Sequence, residues 1–285
     1  MQKRVLAIHD ISCVGKCSLT VALPVISATG AECSILPTSL LSTHTGGFEN
    51  YTFLDLTEEI PKIANHWQEL KLPVQYIYSG YLGSFRQIDL IKELFDKFSL
   101  GDRGEKTMIC VDPVMGDNGS LYALFDEEFA KGMASLCGKA DLIMPNITEA
   151  CYMTGIPYKE DNYDEGYVKE LIESLHQLGP KYVILTGVSF DPDKLGAACS
   201  DGENISYYME ERIEGYYHGT GDVFGSSLVG AVSNGISPEK AMEIAVKYTV
   251  ASIRRTKNAG TEARYGVCFE QEIPELINMI NNANL

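Results

Sequence analysis

Positive charge is in short supply: 23 Lys and Arg stand against 39 Asp and Glu in 285 residues, a formal net charge of −16. That deficit opposes any broad grip on a phosphate backbone, so no nucleic acid partner is expected. An anionic small molecule would have to be held locally, by backbone N–H groups, helix N-termini and a bound cation. Long apolar runs are also missing. Lys3 and Arg4 precede only Val5 to Ile8 before His9 and Asp10 interrupt, so neither a signal peptide nor a membrane partner is expected. The 8 cysteines include no CxxC pair, and Cys13 and Cys17 lack a second Cys/His pair that would complete a zinc site. Scattered thiols, several within apolar runs, fit buried free cysteines in the reducing cytoplasm. Two nucleotide-binding signatures are absent as well. No G-x-G-x-x-G follows the first apolar run, and Gly15-Lys16 leads into Cys17 without the glycine spacing of a Walker A loop.

What is present is ordinary globular material, 45% hydrophobic and 22% charged, enough for one large α/β domain over residues 1–285. Short β-rich runs alternate with longer segments of helical period, the pattern of a mostly parallel sheet covered on both faces. Strands are predicted at Arg4–Ile8, Glu32–Leu36, Tyr76–Ser79, Met108–Val111, Leu142–Met144 and Tyr182–Thr186. Gly196–Ser200 and Ile205–Met209, separated only by Asp201 to Asn204, would add an antiparallel edge. Helices are predicted at Leu19–Thr29, Leu56–Leu70, Gln87–Phe98, Glu127–Leu136, Glu165–Leu178, Val223–Asn234, Pro238–Arg255 and Pro274–Asn281.

Polar residues gather where these strands end. Gly219-Thr220-Gly221-Asp222 leads from a loop into a small, apolar helix. The glycines let successive N–H groups face one point and the helix adds its positive end, which together make an anion site with Asp222 beside it as a general base. The competing reading makes Asp222 the N-cap of that helix. Asp112 and Asp117 flank a Pro/Gly turn after one strand and would hold Mg²⁺ against phosphates, or be two solvated turn acids. Asn146 and Glu149 follow the next strand. They suit phosphate and the metal's water shell, or equally a capping box, with Asn146 as N-cap and Glu149 three residues on. Thr186-Gly187 ends another strand and would touch a nucleotide. Asp10 and Ser12 after the first strand, His44 and Thr45 after the second, and Tyr81 after the third would line an acceptor pocket. Taken singly, a loop histidine such as His44 is more often a surface or structural residue, and Tyr81 is equally well explained by the core.

In order, Asp112-Pro-Val-Met-Gly-Asp117, Asn146-x-x-Glu149, Thr186-Gly187 and Gly219-Thr-Gly-Asp222 resemble the motif series of vitamin kinases in the ribokinase-like superfamily. The resemblance spans nearly the whole chain. Leu41-Ser42-Thr43-His44-Thr45-Gly46 and Ser79-Gly80-Tyr81-Leu82-Gly83 are similar to the substrate loop and tyrosine segment of pyridoxal kinases. The resemblance implies a three-layer α/β/α fold and transfer of phosphate from ATP to the 5′-hydroxyl of a vitamin B6 vitamer. Asp222 would be the base, Gly219 to Gly221 would stabilise the transferred group, and Asp112, Asp117, Asn146, Glu149 and Thr186 would organise Mg·ATP. His44, Thr45 and Tyr81 would contact the ring. K⁺ activation and a homodimer are also implied. The first loop departs from the pattern: pyridoxal kinases usually carry serine in a Gln-Ser context, whereas His9-Asp10-Ile11-Ser12 leaves the contact to either Asp10 or Ser12. An acidic residue there resembles sugar and hydroxymethylpyrimidine kinases, so a hydroxymethylpyrimidine kinase is the nearest alternative. A non-catalytic vitamer-binding protein on the same fold is a further one.

Overall fold

The computed structural model describes residues 2–100 and 104–283. Its first part runs β1 (Arg4–Ser12), α1 (Leu19–Ala28), β2 (Glu32–Leu41), β3 (Phe53–Asp55), α2 (Ile60–Glu69), β4 (Tyr76–Ser79) and α3 (Phe85–Lys97). A middle part follows with β5 (Met108–Val111), the short β6 (Gly116–Asp117) and β7 (Ser120–Leu121), α4 (Glu127–Cys137), β8 (Leu142–Ile143), α5 (Ile147–Thr154) and α6 (Glu165–His176). The chain closes with β9 (Tyr182–Val188), β10 (Lys194–Ser200), β11 (Ile205–Glu211), α7 (Thr220–Ser233), α8 (Pro238–Ala259) and α9 (Ile273–Ala283).

A 9-stranded sheet in the order β11-β10-β9-β8-β5-β4-β1-β2-β3 forms the middle layer. Strands β2, β1, β4, β5, β8 and β9 pair in parallel, and the edges β3, β10 and β11 are antiparallel. Alternation along β1 shows why the sheet needs two covers. Leu6 and Ile8 join the core under α2 to α6, while Val5 and Ala7 join the core under α1, α7, α8 and α9. The predicted α/β/α architecture is the one observed.

The differences from the sequence reading are local. β1 and β2 run on to Ser12 and Leu41, and β3 and the β6–β7 hairpin are additional. Such two- and three-residue strands owe their pairing to neighbours and carry too few side chains to show a period. α5, foreseen only through its cap, is a full helix closed by Gly155.

Candidate active site

The order of the strands chooses the place. β1 pairs with β2 on one side and β4 on the other, so chain connections leave it in opposite directions and a crevice opens at its C-terminal end. There the β1–β2 register slips between His9 and Ile11, a bulge that re-aims side chains next to the crevice. Asp10 is buried and accepts hydrogen bonds from Ser18 Oγ at 2.6 Å and Ser12 Oγ at 2.9 Å. Burial raises its pKa, and the two hydroxyls oppose that rise by favouring the charged form. The structure therefore joins Asp10 and Ser12 into one unit, with Ser12 supporting the acid. Ser18, which the sequence reading did not single out, completes it. Tyr81, just beyond β4, is half-buried, with its phenol pushed up to about 12 by burial and then by the charge of Asp10. Its ring also packs against Phe125 at 5.7 Å.

His44 is buried after the end of β2, and both of its nitrogens are engaged. Nδ1 accepts from the Gly46 N–H at 3.0 Å, which leaves the proton on Nε2, and Nε2 donates to the Arg264 carbonyl at 2.6 Å. Only the ring's faces and edges remain for a ligand. It packs 5.0 Å from Phe48 and 4.9 Å from His218. Because His218 immediately precedes Gly219, the His44 loop rests on the glycine-rich turn. Thr45 is exposed at the rim, beside His44 in sequence. His218 was given no role from sequence; its partner His44 is distant in the chain and only folding joins them.

The N-cap reading of Asp222 does not hold. α7 begins at Thr220, its cap is Gly219, and Asp222 sits in the first turn as the third helical residue. The left-handed backbone of Gly219, φ 77°, turns the chain into the helix three residues earlier than the apolar pattern suggests. A side chain at Gly219 would also collide with the Lys16 carbonyl. The first intrahelical bond runs from Val223 N–H to the Gly219 carbonyl at 3.0 Å, so the N–H groups of Thr220, Gly221 and Asp222 have no partner within the helix. Among the described residues, and apart from its chain neighbours and its own helix backbone, nothing lies within 4 Å of the position a Gly221 Cβ would take, so open space adjoins the helix end that carries those donors. The Thr220 hydroxyl is turned back to the Tyr217 carbonyl at 3.3 Å. Asp222, its side chain 17% exposed, has its carboxyl pushed up to about 7 by burial and by Asp10, against the pull of the Ser18 backbone N–H.

Acids from the next strand ends approach from the other side. Asp112, after β5, is buried and its pKa is raised by burial, then Glu149, then Asp222. Glu149 and Asn146 form the capping box of α5: the Asn146 side chain accepts from the Glu149 N–H, and Glu149 Oε2 accepts from the Asn146 N–H, both at 2.9 Å. Glu149 Oε1 accepts from the Met115 N–H at 3.1 Å, and Asn146 Nδ2 donates to the Gly116 carbonyl at 2.8 Å. These bonds tie the Asp112–Asp117 turn to the start of α5. Burial raises the Glu149 pKa as well. Asn146 forms a parallel bridge with Thr186, whose N–H donates to the Pro145 carbonyl at 2.9 Å, and Gly187 follows within β9. Asp117 is half-buried in the β6–β7 hairpin, bonded to the Asn118 N–H at 2.8 Å. The phenol of Tyr122, absent from the sequence reading, is pushed up by burial and by these acids, with Tyr216 beside it.

Among the described residues no group of three or more His, Cys, Asp or Glu is arranged to hold a metal ion. Burial is the first cause of the raised pKa values of Asp10, Asp112, Glu149 and Asp222, so the strand ends hold several carboxyls whose charge their surroundings disfavour. Such carboxyls would suit Mg²⁺, which keeps its waters and is held by one or two carboxylates together with phosphates. Lys16 points elsewhere, to Glu270 at 3.0 Å, in keeping with the absence of a Walker A loop.

With this geometry in hand, comparison with known proteins is decisive. The family model described as phosphomethylpyrimidine kinase matches residues 23–266. The chain belongs to that family. A crystal structure of a Bacteroides thetaiotaomicron protein assigned to the phosphomethylpyrimidine kinases is similar at 36% identity and TM-score 0.90, covering 100% of this chain and 94% of that one. A second crystal form of that protein is described with pyridoxal. Pyridoxal kinase from Lactobacillus plantarum is 29% identical with TM-score 0.89, covering 99% of each chain. Pyridoxal kinase of Dictyostelium discoideum is 28% identical over 247 residues, 81% of this chain and 78% of that protein. This family member is a phosphotransferase with an alcohol group as acceptor.

Proposed function

We propose that the protein transfers the γ-phosphoryl group of Mg·ATP to the 5′-hydroxyl of a vitamin B6 vitamer. The observation that carries the reading is the position of Asp222, in the first turn of α7, between open helix N–H donors and the pocket of Asp10, Tyr81 and His44. The acceptor hydroxyl is placed by that pocket, and Asp222 takes its proton as the oxygen attacks. The N–H groups of Thr220, Gly221 and Asp222 receive the charge on the transferred group. Asp112 and Asp117, with Glu149 behind them, would hold Mg²⁺ through its water shell, and the ion would offset charge on the phosphate oxygens. Asn146, Thr186 and Gly187 line the phosphate side. His44 packs the ring by its face or edge, Thr45 closes the rim, and the Asp10–Ser12–Ser18 unit accepts from a ring substituent.

Pyridoxal kinases among the relatives, and the pyridoxal in the Bacteroides protein, support this acceptor. The family match and the acid at position 10 favour a second reading, a hydroxymethylpyrimidine kinase. Purified protein with Mg·ATP is expected to give its highest kcat/KM on pyridoxal, pyridoxamine or pyridoxine in a panel that includes hydroxymethylpyrimidine and ribose. Highest turnover of hydroxymethylpyrimidine would replace the B6 acceptor with the second reading; no turnover of any alcohol would remove both.

A further inference from the structure

One buried side chain beside the base has no task in this scheme. His9, in β1, is 1% exposed, and among the described residues neither of its ring nitrogens has a hydrogen-bond partner. A buried polar group left unmet carries a desolvation cost that a partner would relieve. His9 Nδ1 lies 4.0 Å from Asp222 Oδ1. The ring has little freedom to be anywhere else. It sits edge-on to Tyr78, with centroids 4.5 Å apart and planes at 69°, and a Cβ on Gly80 would collide with it. Alternation along β1 puts His9 on the face of Val5 and Ala7, the face that packs against α7. The bulge that follows lets the next residue, Asp10, turn into the acceptor pocket. The titratable groups around the pair are Asp10 on β1, Cys17 in the loop before α1, Tyr78 on β4 and Asp112 beyond β5.

We propose that His9 is a positioning residue for the base: its Nδ1–H donates to Asp222 Oδ1 in the reacting complex and leaves Oδ2 aimed at the acceptor hydroxyl. The inference rests on the reading of Asp222 as base. A closure of about 1 Å converts the observed separation into a hydrogen bond, and catalytic hydrogen bonds commonly tighten only when the complex assembles. His9 stays neutral throughout. Burial holds its imidazolium down, with a pKa lowered to about 3. The hydroxyl proton passes to Asp222 Oδ2, the acceptor oxygen bonds to the γ-phosphorus, and the bond from that phosphorus to the departing ADP oxygen breaks. Misplacing a reacting group by about 1 Å costs up to about 10²-fold in rate.

The test compares His9→Leu, which fills the space without a donor, with His9→Asn, whose side-chain N–H₂ can stand where Nδ1 stands. His9→Leu is expected to lower kcat by about 10- to 100-fold with KM for both substrates within about twofold, and His9→Asn to recover most of the loss. Equal activity of the two variants would overturn the proposal. A readout independent of turnover is the ring ¹⁵N spectrum of His9 in the wild-type protein saturated with acceptor and a non-hydrolysable ATP analogue. The proton is expected on Nδ1, and a proton on Nε2 would overturn the proposal even if His9→Leu does not fold. Wild-type turnover in Asp222→Asn would remove the base reading and the positioning role together. Loss of turnover there with wild-type turnover in His9→Leu would remove the positioning role alone.

Discussion

A carboxyl with a pKa near 7 is about half ionised at neutral pH, and Asp222 is such a group because burial and Asp10 both work against its charge. Its basic form is therefore gained as pH rises. For the free enzyme, kcat/KM is expected to climb between about pH 6 and 8 with an apparent pKa within about one unit of 7; a profile flat across that range would deny the base role. Asp222→Asn should lower kcat by about 10²–10⁴ while binding persists, as measured by steady-state kinetics and ligand titration. The same raised pKa makes a stability statement. The folded carboxyl holds its proton more tightly than the unfolded one, so the wild-type protein is penalised above the unfolded pKa, with the full penalty reached once pH passes the folded value. Asp222→Asn is thus expected to be more stable than wild type at pH 8 by on the order of 1 kcal/mol or more, seen as a higher melting temperature whose margin closes toward pH 4.

At the scale of elements, the site depends on how one helix begins. Gly219 is held in a left-handed turn against the Lys16 carbonyl, a backbone atom that cannot step aside cheaply, whereas the Cβ position at Gly221 faces open space. Gly219→Ala is expected to destabilise the fold by about 1–3 kcal/mol and to lose activity with it. Gly221→Ala should keep the wild-type melting temperature to within the usual cost of a surface change and still lower kcat, because the added methyl occupies the space left for the anion. Equal melting losses in the two variants would contradict this assignment. α5 offers the parallel case. Asn146→Ala removes both an N-cap and the bond to the Gly116 carbonyl, and chemical denaturation should show a loss of about 1–2 kcal/mol. This cap was legible because its partners stand three residues apart. The start of α7 was misplaced because the apolar period begins at Val223, while the turn that opens the helix is set by contact with a loop some two hundred positions earlier in the chain.

For the whole molecule, strand order gathers the acids at one edge of the sheet, and no ready-made metal cage is found among the described residues. On the proposed Mg·ATP chemistry a chelator is expected to abolish turnover while leaving the melting temperature unchanged; a marked drop in stability would indicate a resident structural metal instead. The amino-acid sequence by itself determined the layered α/β class, the longer strands between Arg4 and Met209, and the polar clusters at their ends. Period and spacing are local properties, and side chains a few residues apart express them without a fold. The tertiary structure decided which residues cap a helix and which hydrogen bonds the others spend on backbone. Asp222 was released from the capping role by Gly219, and Glu149 was committed to the capping box and to the Met115 N–H. His44 spends both nitrogens on backbone, one of them on Arg264, which lies 220 positions away. His9 came to lie beside Asp222 through the pairing of β1 with β4 and the packing of α7 on that face. Those outcomes turn on burial and on partners far apart in the chain, and neither exists until the sheet is assembled.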